Sequence, residues 1–409
     1  MTGMVEPGRG GRRIASAHRV FAKLLLNTLL LIIVLELAAG ILLATVTSGP
    51  VRDMLFRVTD KPNDLIKHHY LSLPYYAQQD WSEAYWREHS RAQRKNYYPY
   101  VIWRSPPSAG RFVNIEGGLR STPGTNCGPD AVKVYVFGGS AMWGWGAPDW
   151  GTIPAYLQAD LEAAADGPFC VVNYGENAYV STQSLIQLQL LLEAGNVPDV
   201  VLFYDGVNEV FAGHQAGQPG VHQNLSEIAT LFQKRGSPFL GLLRSSSSFR
   251  IAQLMSSQLG LPGKGSGAAP KPKTDIAELS DQIVDTYLKE LEIVGALSEV
   301  FGFDYYFLWQ PHILAGEKRL SDEEQEMLTG LSWVVDLNSE LRDLFSRTYE
   351  AVAREEPRYE HLHFMAHVFD NVEAPIWIDT WGHVTPEGNR LISREISSLI
   401  SEGLAKREP

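Results

Sequence analysis

The fold is decided by residues 132–144, which read VKVYVFGGSAMWG. Residues 133–137 form a run of β-branched and aromatic side chains, which is typical of a buried strand. Gly138 and Gly139 let the backbone turn sharply where the strand ends, so Ser140 is predicted to lie on a strand-to-helix corner with an accessible hydroxyl. Taken alone, a serine after a strand of this kind more often caps the next helix. The interpretation of Ser140 as a nucleophile therefore depends on the other segments described below.

Two further segments place polar groups at the ends of predicted strands. NYGEN follows a strand over residues 170–173 and contains Gly175, and YDGVNE follows a strand over residues 200–204 and contains Asn208. The carboxyl ends of parallel strands meet at one edge of an open α/β sheet, where ligands bind. The backbone N–H groups of Ser140 and Gly175 and the side-chain amide of Asn208 are therefore predicted to form an oxyanion hole.

A candidate base lies in DTWGHVTPEGN, residues 379–389, which contains His383. This segment follows PIWID, predicted as the last strand, and precedes a helix with regular apolar spacing. An imidazole titrates near neutral pH, so His383 can take the Ser140 proton and return it to a leaving group. The chain has 11 histidines, and the position of His383 at the end of the final α/β unit distinguishes it from the others.

Together these segments resemble the four blocks of the SGNH (GDSL-like) hydrolase superfamily. The resemblance covers residues 130–215 and 296–402 and implies an α/β fold, a three-layer α/β/α flavodoxin-like sandwich with a mainly parallel sheet. It also implies that Ser140 is the nucleophile, that His383 is the base and that the substrate is an acyl ester. Membrane-anchored relatives include proteins similar to alginate O-acetyltransferases, which favours an ester of a carbohydrate or polysaccharide.

The sequence departs from the family pattern at two places. A glycine precedes Ser140 where the best-known version has aspartate, as is common in membrane-anchored bacterial relatives. The family aspartate usually lies three residues before the histidine, whereas Asp379 lies four before His383. We expect Asp379 to orient the imidazole through a one-residue bulge containing Trp381 and Gly382. The alternatives are that a backbone carbonyl takes this role, or that Asp379 only caps the loop.

Further site residues are predicted from their positions. Trp143 and Trp145 lie one turn beyond Ser140 and are expected to line the substrate cleft. His312 follows the fourth predicted strand and is expected to help bind substrate at the same sheet edge. Cys127 lies just before the first core strand and Cys170 opens the second, so the two are predicted to form a disulfide; two buried thiols are the alternative.

The N-terminal region predicts a membrane anchor over residues 24–46. A helix of this length spans about 35 Å at roughly 1.5 Å per residue, which is enough to cross a bilayer. It is longer than a signal-peptide core, so an uncleaved anchor is favoured. Basic residues precede it, so the N-terminus is predicted to be cytoplasmic and the rest of the chain periplasmic, outside the inner membrane. Glu36 lies within the span, either as a docking point for another membrane protein or as a tolerated, protonated carboxyl.

The chain is thus predicted to comprise a cytoplasmic N-terminus (1–23), the anchor (24–46), an aromatic-rich extension (47–125) and an SGNH-like domain (126–409) with an insertion near residues 212–274. The aromatic side chains of the extension are expected to pack against the main domain, with sugar stacking or contact with the membrane interface as alternatives. The Gly, Pro and Ser content late in the insertion is typical of a loop or linker.

The composition and the motifs of the chain exclude several classes of function. A net charge of -12 and a pI near 5.4 argue against a nucleic-acid partner. The sequence contains no P-loop, dinucleotide fingerprint, CxxC or HExxH, so neither a metal nor an organic cofactor is implied. The leading interpretation is a membrane-anchored, extracytoplasmic serine esterase that forms an acyl-serine intermediate. A polysaccharide O-acetyltransferase with the same mechanism is one alternative, and a non-catalytic carbohydrate-binding or assembly protein on this fold is another.

Overall fold

The computed structural model describes residues 9–47, 69–164, 167–233, 246–249, 274–329 and 337–406. The chain divides into two compact units. One unit comprises residues 1–64 and 229–268, and the other comprises residues 65–228 and 269–409. The second unit contains the main sheet together with the described part of the predicted extension.

The described strands form one large sheet and two small hairpins. The main sheet has the strand order β6-β5-β7-β8-β9, and every neighbouring pair in it is parallel. This is the flavodoxin-like order, in which the second strand of the sheet flanks the first. The strands are β1 (Asn96–Tyr98), β2 (Ile102–Arg104), β3 (Ile115–Glu116), β4 (Leu119–Arg120), β5 (Val132–Gly138), β6 (Phe169–Asn173), β7 (Val200–Asp205), β8 (Asp304–Trp309) and β9 (Leu362–Phe364).

Helices cover both faces of the main sheet. Side chains alternate between the two faces along a strand, so Val134 and Val136 enter one buried cluster while Tyr135 and Phe137 enter another. The predicted three-layer α/β/α architecture is confirmed. The described helices are α1 (Arg9–Thr47), α2 (Pro74–Ala77), α3 (Ser82–Ala92), α4 (Ser140–Trp143), α5 (Ile153–Ala164), α6 (Ser181–Glu193), α7 (Val207–Ala216), α8 (Leu225–Gln233), α9 (Ile276–Phe301), α10 (Asp322–Thr329), α11 (Ser339–Glu355) and α12 (Pro386–Ala405), with 3-10 turns at Asp149–Gly151, Glu356–Arg358 and Met365–His367.

The prediction that PIWID forms the last strand is wrong. The fifth strand of the sheet is β9, and the PIWID segment makes only an isolated antiparallel bridge, between Trp377 and Val384. The buried Glu324 carboxylate accepts hydrogen bonds from the backbone N–H groups of Ile376 (2.8 Å) and Trp377 (3.0 Å). A side chain therefore satisfies the donors that a neighbouring strand would otherwise bind.

The sequence predicts helices over residues 225–234, 248–259, 276–302 and 322–355. The helical pattern predicted over residues 322–355 is divided between α10 and α11, and residues 330–336 lie outside the described residues. The helix predicted over residues 248–259 also lies outside them beyond Phe249. By contrast, α8 and α9 are confirmed close to their expected bounds.

Most aromatic side chains in the described part of the extension are buried. Tyr70, Tyr76, Tyr85 and Trp86 belong to the same apolar cluster as the residues of β5 that face α5 and α12. Such burial stabilises a fold by roughly 25 cal/mol per Å² of apolar surface removed from water. Most of the described extension is thus packed into the α/β unit as expected, whereas Tyr97, Tyr98 and Tyr100 of the β1–β2 hairpin are exposed.

In the other unit, α1 contains the apolar stretch Val20–Ile41, with a mean hydropathy of 2.4. By length and composition this stretch is able to cross a membrane. The Glu36 carboxylate accepts hydrogen bonds from the backbone N–H groups of Ser247 (2.8 Å) and Ser248 (3.4 Å) in the same unit. Glu36 thus has donors within its own chain, and docking on a second membrane protein stays a prediction.

Cys127 and Cys170 are joined by a disulfide, with their Cα atoms 4.9 Å apart. The bridge closes a loop with a sequence separation of 43 residues, between the segment before β5 and the adjacent strand β6.

We expect the double variant Cys127→Ser/Cys170→Ser to lower the free energy of unfolding by about 2–4 kcal/mol, because the unfolded chain regains the freedom of that loop. Chemical denaturation with and without reductant checks this, since reductant must destabilise the wild type and leave the double variant unchanged. Free thiols in the non-reduced, exported wild type would contradict the bridge.

Candidate active site

Ser140 lies at the corner between a strand and a helix. Strand β5 ends at Gly138, and α4 begins at Ser140. The Ser140 Oγ atom is 2.6 Å from His383 Nε2. This places the serine hydroxyl where it can donate its proton to the imidazole, which is the contact that a nucleophile and its base require.

His383 is held in the loop that precedes α12. The Nδ1 atom of His383 lies 2.7 Å from Asp379 Oδ2. Because a carboxylate only accepts hydrogen bonds, Nδ1 carries the proton and donates it to Asp379, which leaves Nε2 to accept from Ser140. The helix itself starts at a defined point, since the Thr385 side chain caps it by accepting the Gly388 N–H.

The turn between Asp379 and His383 accommodates the extra residue in the spacing. The Asp379 Oδ1 atom accepts hydrogen bonds from the backbone N–H groups of Trp381 (2.9 Å) and His383 (3.3 Å). Gly382 adopts a φ of +79°, a left-handed conformation that favours glycine. The bulge expected at Trp381 and Gly382 therefore brings the carboxylate back to the imidazole.

The Asp379 carboxylate is buried and has several donors. Tyr70 Oη donates to Asp379 Oδ2 at 2.8 Å, in addition to the hydrogen bond from His383. Burial acts to raise the pKa of Asp379, but the charge of His383 and the hydrogen bonds from His383 and Tyr70 outweigh it. The pKa of Asp379 is consequently held below its ordinary value, which favours the ionised carboxylate beside His383.

Asn208 lies against the backbone of the nucleophile corner. A Cβ atom on Gly139 would be only 2.0 Å from Asn208 Nδ2, so this approach requires glycine. One hydrogen of Nδ2 is donated to the Tyr179 carbonyl at 2.7 Å, and Gln223 Nε2 donates to Asn208 Oδ1 at 3.1 Å. A side-chain amide has a second N–H group besides the one bound to Tyr179, and its donation to an oxyanion stays a prediction.

Gly175 lies where the loop after β6 passes close to α4. A Cβ atom on Gly175 would be 2.6 Å from the backbone nitrogen of Trp143, so only glycine fits. The Gly175 N–H is donated to Asn173 Oδ1 at 2.9 Å, and Asn173 Nδ2 donates in turn to the Met142 carbonyl at 3.1 Å. The structure thus brings Gly175 to the predicted edge with its N–H already engaged, and its role as an oxyanion donor stays a prediction.

Glu176, which sequence reasoning missed, ties the loop of Gly175 to the extension. Its buried carboxylate accepts hydrogen bonds from the Ser105 N–H (2.6 Å) and hydroxyl (2.9 Å), and it forms an ion pair with Lys95. In the sequence, Glu176 is 71 positions from Ser105 and 81 positions from Lys95. No local pattern in the sequence marks it, because Lys95 and Ser105 lie far from it in the chain, just before and just after the β1–β2 hairpin.

The three residues predicted to bind substrate occupy different environments. Trp143 is buried, and the Arg120 guanidinium lies 4.4 Å from its ring centroid. Trp145 is half-buried, with its ring stacked on His383 at 5.2 Å. His312 is buried, and its Nε2 lies 3.0 Å from the Thr380 carbonyl. Burial lowers the pKa of His312 to about 4, so the neutral ring donates to Thr380. Contact of these side chains with substrate stays a prediction.

The described ranges contain no cluster of side chains suited to a metal ion. No group of three or more His, Cys, Asp and Glu side chains among these residues is arranged to hold a metal ion.

Comparison with known proteins gives structural similarities only. No protein-family model and no curated protein sequence matches the chain. Among solved structures, the acetyl xylan esterase AlAXEase is 14% identical, with 66% of this chain and 100% of that one covered and a TM-score of 0.37. A putative G-D-S-L family lipolytic protein from Desulfitobacterium hafniense is 11% identical, with 66% and 99% covered and a TM-score of 0.34. A catalytic mutant of Axe2, an acetylxylan esterase from Geobacillus stearothermophilus, is 12% identical, with 66% and 94% covered and a TM-score of 0.34.

At these identities and TM-scores nothing about the activity of this chain follows from the similarities. The class of protein is instead indicated by the fold and by the geometry of the site. The molecule contains a three-layer α/β/α domain with a parallel sheet of strand order 2-1-3-4-5. At the carboxyl edge of that sheet, hydrogen bonds join Ser140 to His383 and His383 to Asp379. This is the arrangement implied by the SGNH-like resemblance.

The close approach of Gly139 and Asn208 gives a test of the oxyanion site. We expect Gly139→Ala to displace the Asn208 amide and to slow acylation by an activated acetate ester about a hundredfold, the usual effect of losing one oxyanion donor. Stopped-flow release of the leaving group measures this rate. Gly128→Ala is the matched control, since a Cβ there lies 3.9 Å from its nearest neighbour. Equal acylation rates in both folded variants would show that the position of Asn208 does not matter.

Proposed function

We propose that the protein is a membrane-anchored serine esterase of the SGNH type that removes acyl groups, of which acetyl is the expected one, from a carbohydrate. The observation that carries this proposal is the continuous hydrogen-bonded series Ser140 Oγ to His383 Nε2 (2.6 Å) and His383 Nδ1 to Asp379 Oδ2 (2.7 Å). Carbohydrate binding alone does not require a serine, a base and a buried carboxylate joined by hydrogen bonds in this order, so the geometry favours an enzyme.

The geometry supports a two-step mechanism. Ser140 Oγ attacks the ester carbonyl while His383 Nε2 takes its proton, and the negative charge of the tetrahedral intermediate is stabilised by backbone and side-chain N–H groups. Collapse of the intermediate breaks the bond to the alcohol, which leaves with the proton from His383. Water then attacks the acyl-serine with His383 again acting as the base, and carboxylate is released.

Asp379 takes no proton in this scheme. Its ionised carboxylate fixes the tautomer of His383 and stabilises the imidazolium that forms in each step. The buried donors around Asp379 keep it ionised, which is why a carboxylate out of contact with water is able to fill this role.

Location outside the cytoplasm is part of the proposal. The apolar stretch of α1 is able to span a membrane, and the positive-inside rule supports a cytoplasmic N-terminus with the α/β domain in the periplasm. The Cys127–Cys170 disulfide supports an oxidising compartment. Domain bounds at residues 24–46, 47–125 and 126–409 are proposed on the same grounds. A carbohydrate substrate is proposed from the resemblance to membrane-anchored relatives.

A fluorophosphonate probe tests the nucleophile. We expect covalent labelling of the wild type at Ser140, because the probe reacts only with a serine that a base has activated. Labelling must disappear in Ser140→Ala and persist in Ser121→Ala, which alters an exposed serine. Intact-protein mass spectrometry measures the adduct. A folded wild type that stays unlabelled would favour a non-catalytic binding protein.

The identity of the acyl acceptor is tested separately. We expect an acetylated oligosaccharide to yield acetate at a rate that does not change when unacetylated oligosaccharide is added, because water attacks the acyl-serine. Acetate assay and mass spectrometry of the sugars measure the two products. Acetyl groups appearing on the added sugar, with a matching loss of acetate, would replace the esterase by an O-acetyltransferase of the same first step.

A further inference from the structure

Tyr70 brings a side chain from the segment before the sheet into the active site. Its hydroxyl donates to Asp379 Oδ2 at 2.8 Å, and the same oxygen accepts the His383 Nδ1–H at 2.7 Å. Tyr70 is 1% exposed, and 309 residues separate it from Asp379. The hydrogen bond therefore depends on the tertiary structure and on no local turn.

Trp145 fixes the direction of the Tyr70 hydroxyl. The Trp145 indole N–H donates to Tyr70 Oη at 3.2 Å, so the single proton of the tyrosine is directed at Asp379. The Trp145 ring also stacks on His383, with an interplanar angle of 14°. One tryptophan thus contacts both the imidazole and the hydroxyl that donate to Asp379 Oδ2.

The ring of Tyr70 is held by aromatic packing. It stacks on Trp86 of α3 with centroids 4.1 Å apart and an interplanar angle of 5°. Burial and the negative charge of Asp379 raise the pKa of Tyr70 well above its usual value, so the hydroxyl keeps its proton and acts as a donor. The packing that holds the ring does not involve the hydroxyl, so phenylalanine fits the same place.

We propose, building on the esterase function above, that Tyr70 is a positioning residue: its hydroxyl aims Asp379 Oδ2 at His383 and takes up part of the charge of that carboxylate. A hydrogen bond to an ionised acceptor is shorter and stronger than one between neutral groups. Two such donors on one oxygen share its charge. The tyrosine therefore sets how strongly Asp379 favours the protonated imidazole, besides setting where the carboxylate points.

The sign of the pH effect follows from this sharing. In Tyr70→Phe, Oδ2 keeps His383 as its remaining side-chain donor, so the imidazolium is stabilised more strongly by Asp379. His383 then holds its second proton up to a higher pH, and the base becomes available only above that pH. The acid limb of the kcat/KM profile is accordingly expected to move to higher pH.

Other titratable groups face Asp379 and His383 from the elements packed around them. Burial, followed by the charges of Arg120 and His383, holds the pKa of His89 well below its usual value, and burial lowers that of His312 to about 4. Burial thus disfavours the charged form of both rings. The titratable groups around Asp379 and His383 are Tyr76, His89, His312, Glu324 and His69, whose Nε2 atom lies 3.3 Å from the Ile378 carbonyl.

The test compares the full-length wild type with Tyr70→Phe, Trp145→Phe and Tyr76→Phe. The matched control is Tyr76→Phe, because it removes a buried hydroxyl of the same aromatic cluster that donates to the Gly146 carbonyl at 2.5 Å. We expect Tyr70→Phe to lower kcat about tenfold and to move the acid limb up by about half a pH unit. Trp145→Phe keeps an aromatic face on His383 and is expected to give a smaller shift in the same direction. The acid limb of Tyr76→Phe must coincide with that of the wild type.

A second readout does not depend on catalysis. In a Ser140→Ala background with 15N-labelled histidine, we expect Tyr70→Phe to move the low-field His383 Nδ1–H resonance further downfield, and to raise the pH at which the imidazole takes up its second proton. An unchanged resonance and titration would overturn the proposal, as would acid limbs that coincide in Tyr70→Phe and wild type. A wild type that hydrolyses no ester would count against the esterase function, while the resonance would still decide the role of Tyr70.

Discussion

The burial of the Asp379 carboxylate is the constraint on which the rest of the site depends. Removing an ionised carboxylate from water costs several kcal/mol unless hydrogen bonds and an opposite charge compensate. Asp379 meets this requirement with donors from Tyr70, Trp381 and His383. Because two of these donors are backbone N–H groups of its own turn, the carboxylate shapes the loop that presents the imidazole to Ser140.

The segment before β5 supports three loops at the carboxyl edge of the sheet. Tyr70 contacts the loop of Asp379, Ser105 binds the loop of Gly175 through Glu176, and Arg120 binds Asp149 at 2.9 Å. The Arg120 guanidinium also donates to carbonyl groups in the segment that follows α4. Each contact satisfies a buried charge, and each fixes a loop that a bare parallel sheet leaves unsupported. The described extension therefore acts as structural support for the site, in addition to filling the core.

Those features that depend on local patterns were predictable from the sequence. The strand before Ser140, the glycine corner and the helix after His383 follow from periodicity and backbone freedom over a few residues. The prediction for PIWID failed because an apolar run cannot reveal that Glu324, some 50 residues away, satisfies its backbone donors. The contacts of Tyr70 and Glu176 were missed for the same reason, since a contact between distant elements leaves no periodic signal in either one.

The hydrogen bonding around Gly175 bears on how such a site distinguishes substrate from transition state. The Gly175 N–H is donated to Asn173 Oδ1, which is a neutral amide acceptor. A neutral ester carbonyl is no better an acceptor and gains little by competing for that N–H. An oxyanion is a much stronger acceptor and shifts the shared hydrogen bond toward itself. If Gly175 fills its proposed role, its contribution is therefore small in the ground state and large once negative charge has formed, which is the difference in binding that accelerates a reaction.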